Sequence, residues 1–375
     1  YARNKQQPDH NADGRERRQE MELNVAGLAP RPSLDIRVLH LTNALIDGIR
    51  RGAQAPTLVV GVYMVTLLTT IPLGIVIYEA IATDLGNSVA ADTAVSSVNW
   101  EWWEEFQSRS SGIKRTFNPR ILGFTAVLNN LSNFVDNRLP AKEIVLAAGV
   151  YLGVWIFLVG GIIDRLARQR RTTSAGFFAI CGTFFFRFIR LGLLAGTAYW
   201  ILFGLVHHWL FDVFYIAATE NLAVERPALL IQMALYIAFG LCLLPVNLVF
   251  DYAKIRAIVE DRHSMVGAVL AAFRFVRRHP KGTFGLYLLN SGLFLTIVVL
   301  YALVVPNPGT LGSSVSLGFA VGQAYLVARL ALKLVFLSSQ TAFFQSQLAH
   351  ANYVATPIPV WPDSPAAEAI GLAQK

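Results

Sequence analysis

Long apolar runs alternate with short polar, mostly basic stretches along most of this chain. Six runs have the length of a membrane span: residues 57–81, 143–163, 191–216, 227–250, 283–305 and a sixth that begins near Leu317. About 20 helical residues cross a bilayer core about 30 Å thick, and a helix satisfies its own backbone hydrogen bonds in lipid. The pattern therefore predicts an all-α polytopic membrane protein with six transmembrane helices, called spans one to six.

A repeat relates two parts of this pattern. Residues 186–190 read Phe-Arg-Phe-Ile-Arg, residues 273–277 read Phe-Arg-Phe-Val-Arg, and the same shift of 87 positions places Asp164 on Asp251. In both copies a span ends at the aspartate, a basic amphipathic segment follows, and the Phe-Arg motif closes that segment before the next span. We predict a repeated unit: an elbow helix on the membrane surface, followed by a hairpin of two spans.

A third unit is expected at the start of the pattern. Before span one, apolar residues recur at the spacing of an amphipathic surface helix; they are Leu34, Val38, Leu41, Leu45 and Ile49. In the elbow after span four, Ser264 is the expected N-cap and Pro280 the expected stop. The first of the three elbow-plus-hairpin units carries a small helical insertion, 82–142, between spans one and two.

The basic residues fall on one side of the predicted membrane. Nine Lys and Arg lie in the first 51 positions, and further clusters follow spans two and four. Cytoplasmic loops retain an excess of these residues, so both termini and the elbows are expected in the cytoplasm and the insertion outside it. No cleavable signal peptide is recognisable, so span one is expected to act as an uncleaved insertion signal.

These assignments divide the chain into five regions. We predict a disordered cytoplasmic N-terminus at 1–33, a surface helix and span one at 34–81, an extracytoplasmic helical insertion at 82–142, a five-span membrane domain with two further elbow helices at 143–350, and a cytoplasmic tail at 351–375. Within the insertion, a helix at 121–135 is expected to roof the bundle.

Composition and motifs narrow the classes of function. Hydrophobic residues make up 54% of the chain and charged residues 15%, as in membrane proteins. The net charge of +8 suits anionic lipid and not nucleic acid, because the basic residues flank spans and no groove-reading module accompanies them. No phosphate loop, catalytic triad or redox cysteine pair is recognisable, and His208 and Asp212 lack a third zinc ligand. We expect no enzymatic activity, no metal and no cofactor.

Two groups of residues are candidates for surface contacts. The elbow arginines are expected to bind anionic lipid headgroups, at about 1 kcal/mol each, or to cap carbonyls and pair with Asp164 and Asp251; they are Arg187, Arg190, Arg274 and Arg277. In the insertion, a tryptophan cluster is expected at the outer interface, with a carbohydrate or partner platform or carboxylate chemistry as alternatives; it comprises Trp100, Trp102 and Trp103. A helix there would place Trp100, Trp103 and Phe106 on one side.

Arg329 and Lys333 are the charged residues of span six and share one helical face. If the span begins near Leu317, Arg329 lies about 18 Å below the outer surface. A charge there is expensive and normally paired, so a lipid phosphate, another anion or a partner's carboxylate would be needed. If the span is instead shifted towards His350, both cations reach the outer headgroups. The second placement is slightly preferred, since Gln340, Gln345 and Gln347 are tolerable inside a bundle.

The elbow between spans four and five reads Glu260-Asp261-Arg262, then Gly267-Ala268, then Phe273-Arg274. With the helix pattern of about residues 140 to 350, it resembles uncharacterised six-helix bacterial membrane families, including the membrane domain attached to some glycerophosphodiester phosphodiesterases. The resemblance implies a bacterial inner-membrane location. The hydrolase half of those proteins has no counterpart here, so no catalytic residue is carried over.

Basic elbows, a tryptophan cluster and the lack of catalytic groups favour a non-enzymatic membrane accessory or scaffold protein. Its expected partners are the lipid bilayer, anionic phospholipids and other membrane-protein subunits. The alternative is a transporter or lipid-handling protein that uses an anion site at Arg329 and Lys333. Pro245-Val246-Asn247 in span four is the other polar interruption that would serve transport.

The charge distribution generates a topology prediction. Trp102 and Leu128 are expected outside, and Arg170, Arg278 and the C-terminal tail in the cytoplasm. In a variant without the two native cysteines, an impermeant thiol reagent should label Leu128→Cys on intact cells but label Arg278→Cys only after permeabilisation. Labelling of Arg278→Cys on intact cells contradicts the orientation.

Overall fold

The structure, a computed structural model, describes residues 34–86, 88–94, 99–119, 123–139, 141–169, 172–222, 224–305 and 314–350. Contacts divide the chain into two units, the first ending at Asn43 and the second running from Ala44 to Lys375. The first unit is described only over 34–43, the start of a helix. The N-terminal region 1–33 and the tail 351–375, predicted from the sequence, lie outside the described residues.

The described residues form helices and no strand. In chain order the helices are α1 (Leu34–Ala53), α2 (Pro56–Gly86), α3 (Ala90–Ala94), α4 (Trp100–Arg109), a 3-10 helix (Gly112–Thr116), α5 (Phe124–Val135), α6 (Lys142–Arg168), α7 (Ser174–Ile201) with two π-helical segments (Leu202–His207 and Trp209–Phe214), α8 (Tyr215–Thr219), α9 (Glu225–Val259), α10 (Met265–Arg278), α11 (Pro280–Val304) and α12 (Ser314–His350). Six helices are long and apolar enough to cross a membrane: α2, α6, the continuous helix from α7 to α8, α9, α11 and α12. The prediction of an all-α polytopic membrane protein is confirmed.

Burial differs between the two ends of the bundle. We call the end that carries α1 and α10 the elbow end, and the end that carries the insertion 82–142 the insertion end. The largest fully buried side chains belong to the elbow half; they include Tyr252, Phe344, Ile162, Ile163, Leu166, Leu248 and Ile255. In the long helix α2, by contrast, only Leu58 and Val62 are buried. The helices are therefore packed tightly at the elbow end and leave apolar surface for lipid above it.

A buried polar turn of α12 connects three neighbouring helices. Residues 338–341, Ser-Ser-Gln-Thr, are each at most 1% exposed. Their side chains bond the carbonyl oxygen of Gly48 in α1 (2.7 Å), the amide of Asn290 in α11 (2.9 Å) and the carboxylate of Asp251 in α9 (3.3 Å). Buried polar groups are costly without such partners, so this turn holds α1, α9 and α11 at one depth relative to α12.

Helix α1 approaches α12 through small residues. Gly48 and Gly52 face the bundle, and a Cβ placed on Gly48 would lie 2.6 Å from Cα of Ser339. Ile46 and Ile49 are 57% and 45% exposed, so they point away from the bundle. In the described part of the expected apolar stripe, Ile49 is thus left for lipid, while glycine makes the helix contact.

The second elbow is not a separate helix. Helix α7 passes from Ser174 through the Phe-Arg motif into span three, whereas α10 ends at Arg278 and α11 begins at Pro280. The shift of 87 positions places Leu193 opposite Pro280. Proline lacks the backbone N–H and disfavours a helical residue before it, which separates α10 from α11, and Pro56 begins α2 in the same way. Without a proline, the middle elbow continues into its span.

Burial nevertheless follows the repeat. Phe188 and Phe275 are 3% and 8% exposed, whereas Phe186 and Phe273 are 68% and 52% exposed. Each Phe-Arg motif therefore turns its second phenylalanine into the bundle and its first away from it. The sequence repeat corresponds to a repeated packing arrangement even though one elbow is continuous and the other is broken.

The close contact at Gly48 generates a stability prediction. Gly48→Ala should lower the free energy of unfolding by about 1–3 kcal/mol, because the added methyl group meets the backbone of Ser339. Gly61→Ala is the matched control, since a Cβ there has no neighbour within 4 Å. Unfolding in mixed micelles measures both variants. Equal stability of the two would show that α1 does not depend on this contact.

Candidate functional site

Arg329 and Lys333 lie near mid-height of the bundle. The Lys333 ammonium lies over Trp155, the fourteenth of 27 residues in α6, and lines a cavity with Phe294, the fifteenth of 25 residues in α11. Helices of about 40 Å centre on a bilayer core of about 30 Å, so these midpoints mark its middle. Ring contacts pair α11 and α12 at the same register: Tyr287–Phe336 and Tyr301–Tyr325. Both cations thus lie at mid-height of the bundle, while their depth in a bilayer stays a prediction.

The Lys333 ammonium group lies over two aromatic rings. Its Nζ atom lies 3.3 Å from the ring centroid of Trp155 and 5.7 Å from that of Tyr151. A desolvated cation over an indole face is stabilised by about 2 kcal/mol or more. From the sequence, an anion was expected as the partner of this charge, and an aromatic ring was not considered. The available signal was Tyr151 and Trp155, four residues apart in span two.

The two cations line a cavity of about 470 Å³, called here the midplane cavity. Its walls come from α2, α6, α11 and α12 and consist of Thr66, Tyr151, Phe294, Leu326, Arg329, Leu330, Leu332, Lys333 and Phe336. None of these residues is acidic. Among the described residues, no salt bridge involves Arg329 or Lys333. Arg329 is exposed and Lys333 half-buried, so the cavity opens towards the surroundings of the bundle.

The polar interruption in span four is occupied by internal contacts. Helix α9 continues through Pro245, and Asn247 accepts a hydrogen bond from Tyr199 at 2.6 Å and donates one to Tyr287 at 3.4 Å. Asp251, further towards the elbow end, binds Lys254 at 2.6 Å. These residues connect spans three, four and five.

The elbow arginines have different roles. Arg187 donates to Asp261 at 2.6 Å and to the carbonyl oxygen of Arg262 at 3.5 Å, so it links α7 to the turn between α9 and α10. This hydrogen bond lowers the pKa of Asp261. The elbow arginines do not pair with Asp164 and Asp251 in the described structure: Asp164 binds Arg168 and Asp251 binds Lys254. The remaining three are exposed, and their contact with headgroups stays a prediction; they are Arg190, Arg274 and Arg277.

The tryptophan cluster forms a small core and not an open platform. Trp102 is 7% exposed and stacks on Phe106, which is 2% exposed, whereas Trp100 is 39% exposed. Trp103 is half-buried, and its Nε1 donates to the carbonyl oxygen of Phe117 at 3.3 Å. Trp100 and Trp103 do lie on one side, with ring centroids 5.8 Å apart, but the buried residues of the helix are Trp102 and Phe106. The buried stripe passes through Trp102 because Phe117, after the 3-10 helix, packs on Phe106 from that side.

The end of α5 is fastened to the insertion ends of two spans. Tyr236 donates to Asp136 at 2.6 Å, and His207 bonds the carbonyl oxygen of Val135 at 2.9 Å. Leu128 and Leu131 remain 48% and 58% exposed, so the expected roofing helix covers the bundle only through its ends. His208 contacts Asp212 at 2.7 Å, and the part of the chain that the structure describes contains no group of three metal-binding side chains.

Comparison of this chain with protein-family models, with curated proteins and with solved structures returns no match. The resemblance to the phosphodiesterase-associated membrane domain therefore stays an expectation from the helix pattern. The midplane cavity and the elbows are the features of this protein that bear on its function.

The cation–aromatic contact generates a prediction for a double-mutant cycle. Trp155→Leu and Lys333→Met should be coupled by about 1–2 kcal/mol in unfolding free energy, because each change removes the same contact. Trp155→Leu and Arg329→Met should be additive, since no contact between these side chains is present. The second cycle controls for loss of charge in the same cavity. Additivity in both cycles would contradict a stabilising role of the ring.

Proposed function

We propose that this integral membrane protein binds the anionic headgroup of a lipid in the midplane cavity and handles that lipid without chemical conversion. The observation that carries the proposal is the pair Arg329 and Lys333, which lines one cavity at mid-height with no carboxylate in its walls. A single cation at the centre of a membrane helix costs about 2.5–3.5 kcal/mol on insertion scales. An anion between the two cations offsets that cost.

The rest of the cavity supports a lipid as the source of the anion. Leu326, Leu330 and Phe294 supply apolar wall beside the two cations, as an amphiphile requires. A volume of about 470 Å³ also lies within the common range for small-molecule sites. Because Arg329 is exposed, a headgroup has access from the membrane.

Handling means lowering the cost of moving a headgroup away from the interface. The cations replace part of the hydration that a phosphate loses when it leaves water. Lys333 is held by Trp155 and stays half-buried, while the exposed Arg329 offers the planar donor set that binds two phosphate oxygens at once. We assign Lys333 to fixed charge compensation and Arg329 to direct headgroup recognition.

The scaffold role favoured by the sequence remains the second candidate. Two observations that supported it are accounted for by contacts within the protein: Trp102 lies in a small core, and Arg187 links α7 to the turn between α9 and α10. What still favours it is the same exposed Arg329, which would equally accept a carboxylate from a partner's membrane helix.

The test neutralises both cations. Arg329→Met with Lys333→Met should remove the bound anionic lipid seen by native mass spectrometry and should slow exchange of a fluorescent anionic lipid between the leaflets of reconstituted vesicles. Lys114→Gln with Arg115→Gln is the matched control, because it removes two exposed charges outside the spans.

Three outcomes are distinguishable. Loss of lipid in the first double variant alone supports the proposal. Retention of every bound lipid together with full exchange contradicts it. Loss of a co-purifying membrane protein, with lipid binding unchanged, favours the accessory role.

A further inference from the structure

A second cavity lies at the elbow end, apart from the midplane cavity, and has about 440 Å³. Helices α9, α10 and α12 and the two short connections beside α10 enclose it. The lining residues that matter here are Arg256, Arg262, Leu270, Arg274, Arg278 and His279. We call it the elbow cavity. Four guanidinium groups in one lining are unusual unless an anion is bound there.

Only part of this positive charge is compensated inside the protein. Glu260 binds both Arg256, at 2.7 Å, and Arg262. Arg256 is further fixed by donation to the carbonyl oxygen of Ala271 at 2.8 Å. Among the described residues, no carboxylate pairs with Arg274 or Arg278. One carboxylate thus faces four arginines, and two of these arginines are left to bind something else.

The repeat shows that this arrangement is specific to one copy. The residue equivalent to Arg274 is Arg187, whose charge is compensated by the ion pair with Asp261. The residue equivalent to Arg278 is Leu191, which is only 3% exposed in the bundle. The first copy therefore uses the motif for packing, whereas the second copy turns two arginines towards a cavity.

The remaining lining complements a phosphate with an attached group. Burial and the neighbouring Arg278 lower the pKa of His279, so its ring is neutral at neutral pH and adds a donor without adding charge. Leu270 and Phe273 on the same helix are 51% and 52% exposed. The cavity thus adjoins apolar surface of α10 that faces away from the bundle.

We infer that the elbow cavity is a binding site for a phosphate-bearing anion, held by Arg274 and Arg278 against the fixed Arg256. Guanidinium groups match phosphate oxygens in pairs, and a phosphate shared between two arginines satisfies both charges. The same chemistry is offered by the headgroup of an anionic lipid and by a soluble phosphate compound. This site is independent of the midplane cavity, so each can fail without the other.

The experiment uses the full chain carrying Arg329→Met and Lys333→Met, which removes the anion site proposed in the midplane cavity, in phosphate-free maltoside micelles. The probe is fluorescent phosphatidic acid, and inorganic phosphate is the competitor. Arg274→Gln with Arg278→Gln should weaken binding at least about tenfold, because two charge-assisted contacts are lost. Arg50→Gln with Arg115→Gln removes the same charge from exposed positions outside the cavity lining and should change binding less than about threefold.

A second variant tests the site without changing charge. Leu270→Trp fills the cavity mouth from an exposed position, so it should also weaken binding while leaving unfolding temperature unchanged. Displacement of the probe by millimolar inorganic phosphate identifies a soluble phosphate as sufficient, whereas resistance to displacement with loss in the Arg274/Arg278 variant identifies a lipid headgroup. Equal weakening in both arginine double variants, or unchanged binding in Leu270→Trp, overturns the inference.

Discussion

The buried polar turn 338–341 of α12 is the constraint on which the rest of the bundle depends. Four consecutive polar residues lie in the interior; three of them bond three different helices, and Thr341 bonds the carbonyl oxygen of Leu337 in its own helix. The depth of α12 against α1, α9 and α11 is thereby fixed. Because Lys333 lies less than two helical turns from this turn, its mid-height position follows from hydrogen bonds made at the elbow end. The cation cannot move along the bundle unless those bonds break.

The two copies of the internal repeat contain two classes of arginine in their elbows. Each copy keeps one buried phenylalanine as an anchor, and the neighbouring arginine is therefore aimed in a similar way. What surrounds it decides its role: Asp261 captures Arg187, while Arg274 meets no carboxylate among the described residues. The same motif thus forms an ion pair in the first copy, whereas in the second copy its arginine pairs with no carboxylate among the described residues.

The helices were predictable because apolar length and periodicity report directly on lipid exposure, and Pro56 and Pro280 mark two helix starts in the sequence. The continuity of α7 could be read only by noticing Leu193 at the position equivalent to Pro280. For the partner of Lys333 the sequence offers only the spacing of Tyr151 and Trp155, since the contact itself depends on which face of α6 meets α12. The inward turn of Trp102 likewise depends on Phe117 in a later segment. Contacts between distant segments were thus the part that periodicity did not encode.

The missing proline in the second elbow also has a mechanical consequence. From Ser174 to Thr219 the backbone is one helix of 46 residues, roughly 70 Å long at 1.5 Å per residue. Arg187, on this helix, forms an ion pair with Asp261, and about 30 Å further along the helix His207 bonds the carbonyl oxygen of Val135 at the end of α5. Because the helix is continuous between these two contacts, a tilt of the helix at one contact also displaces the other.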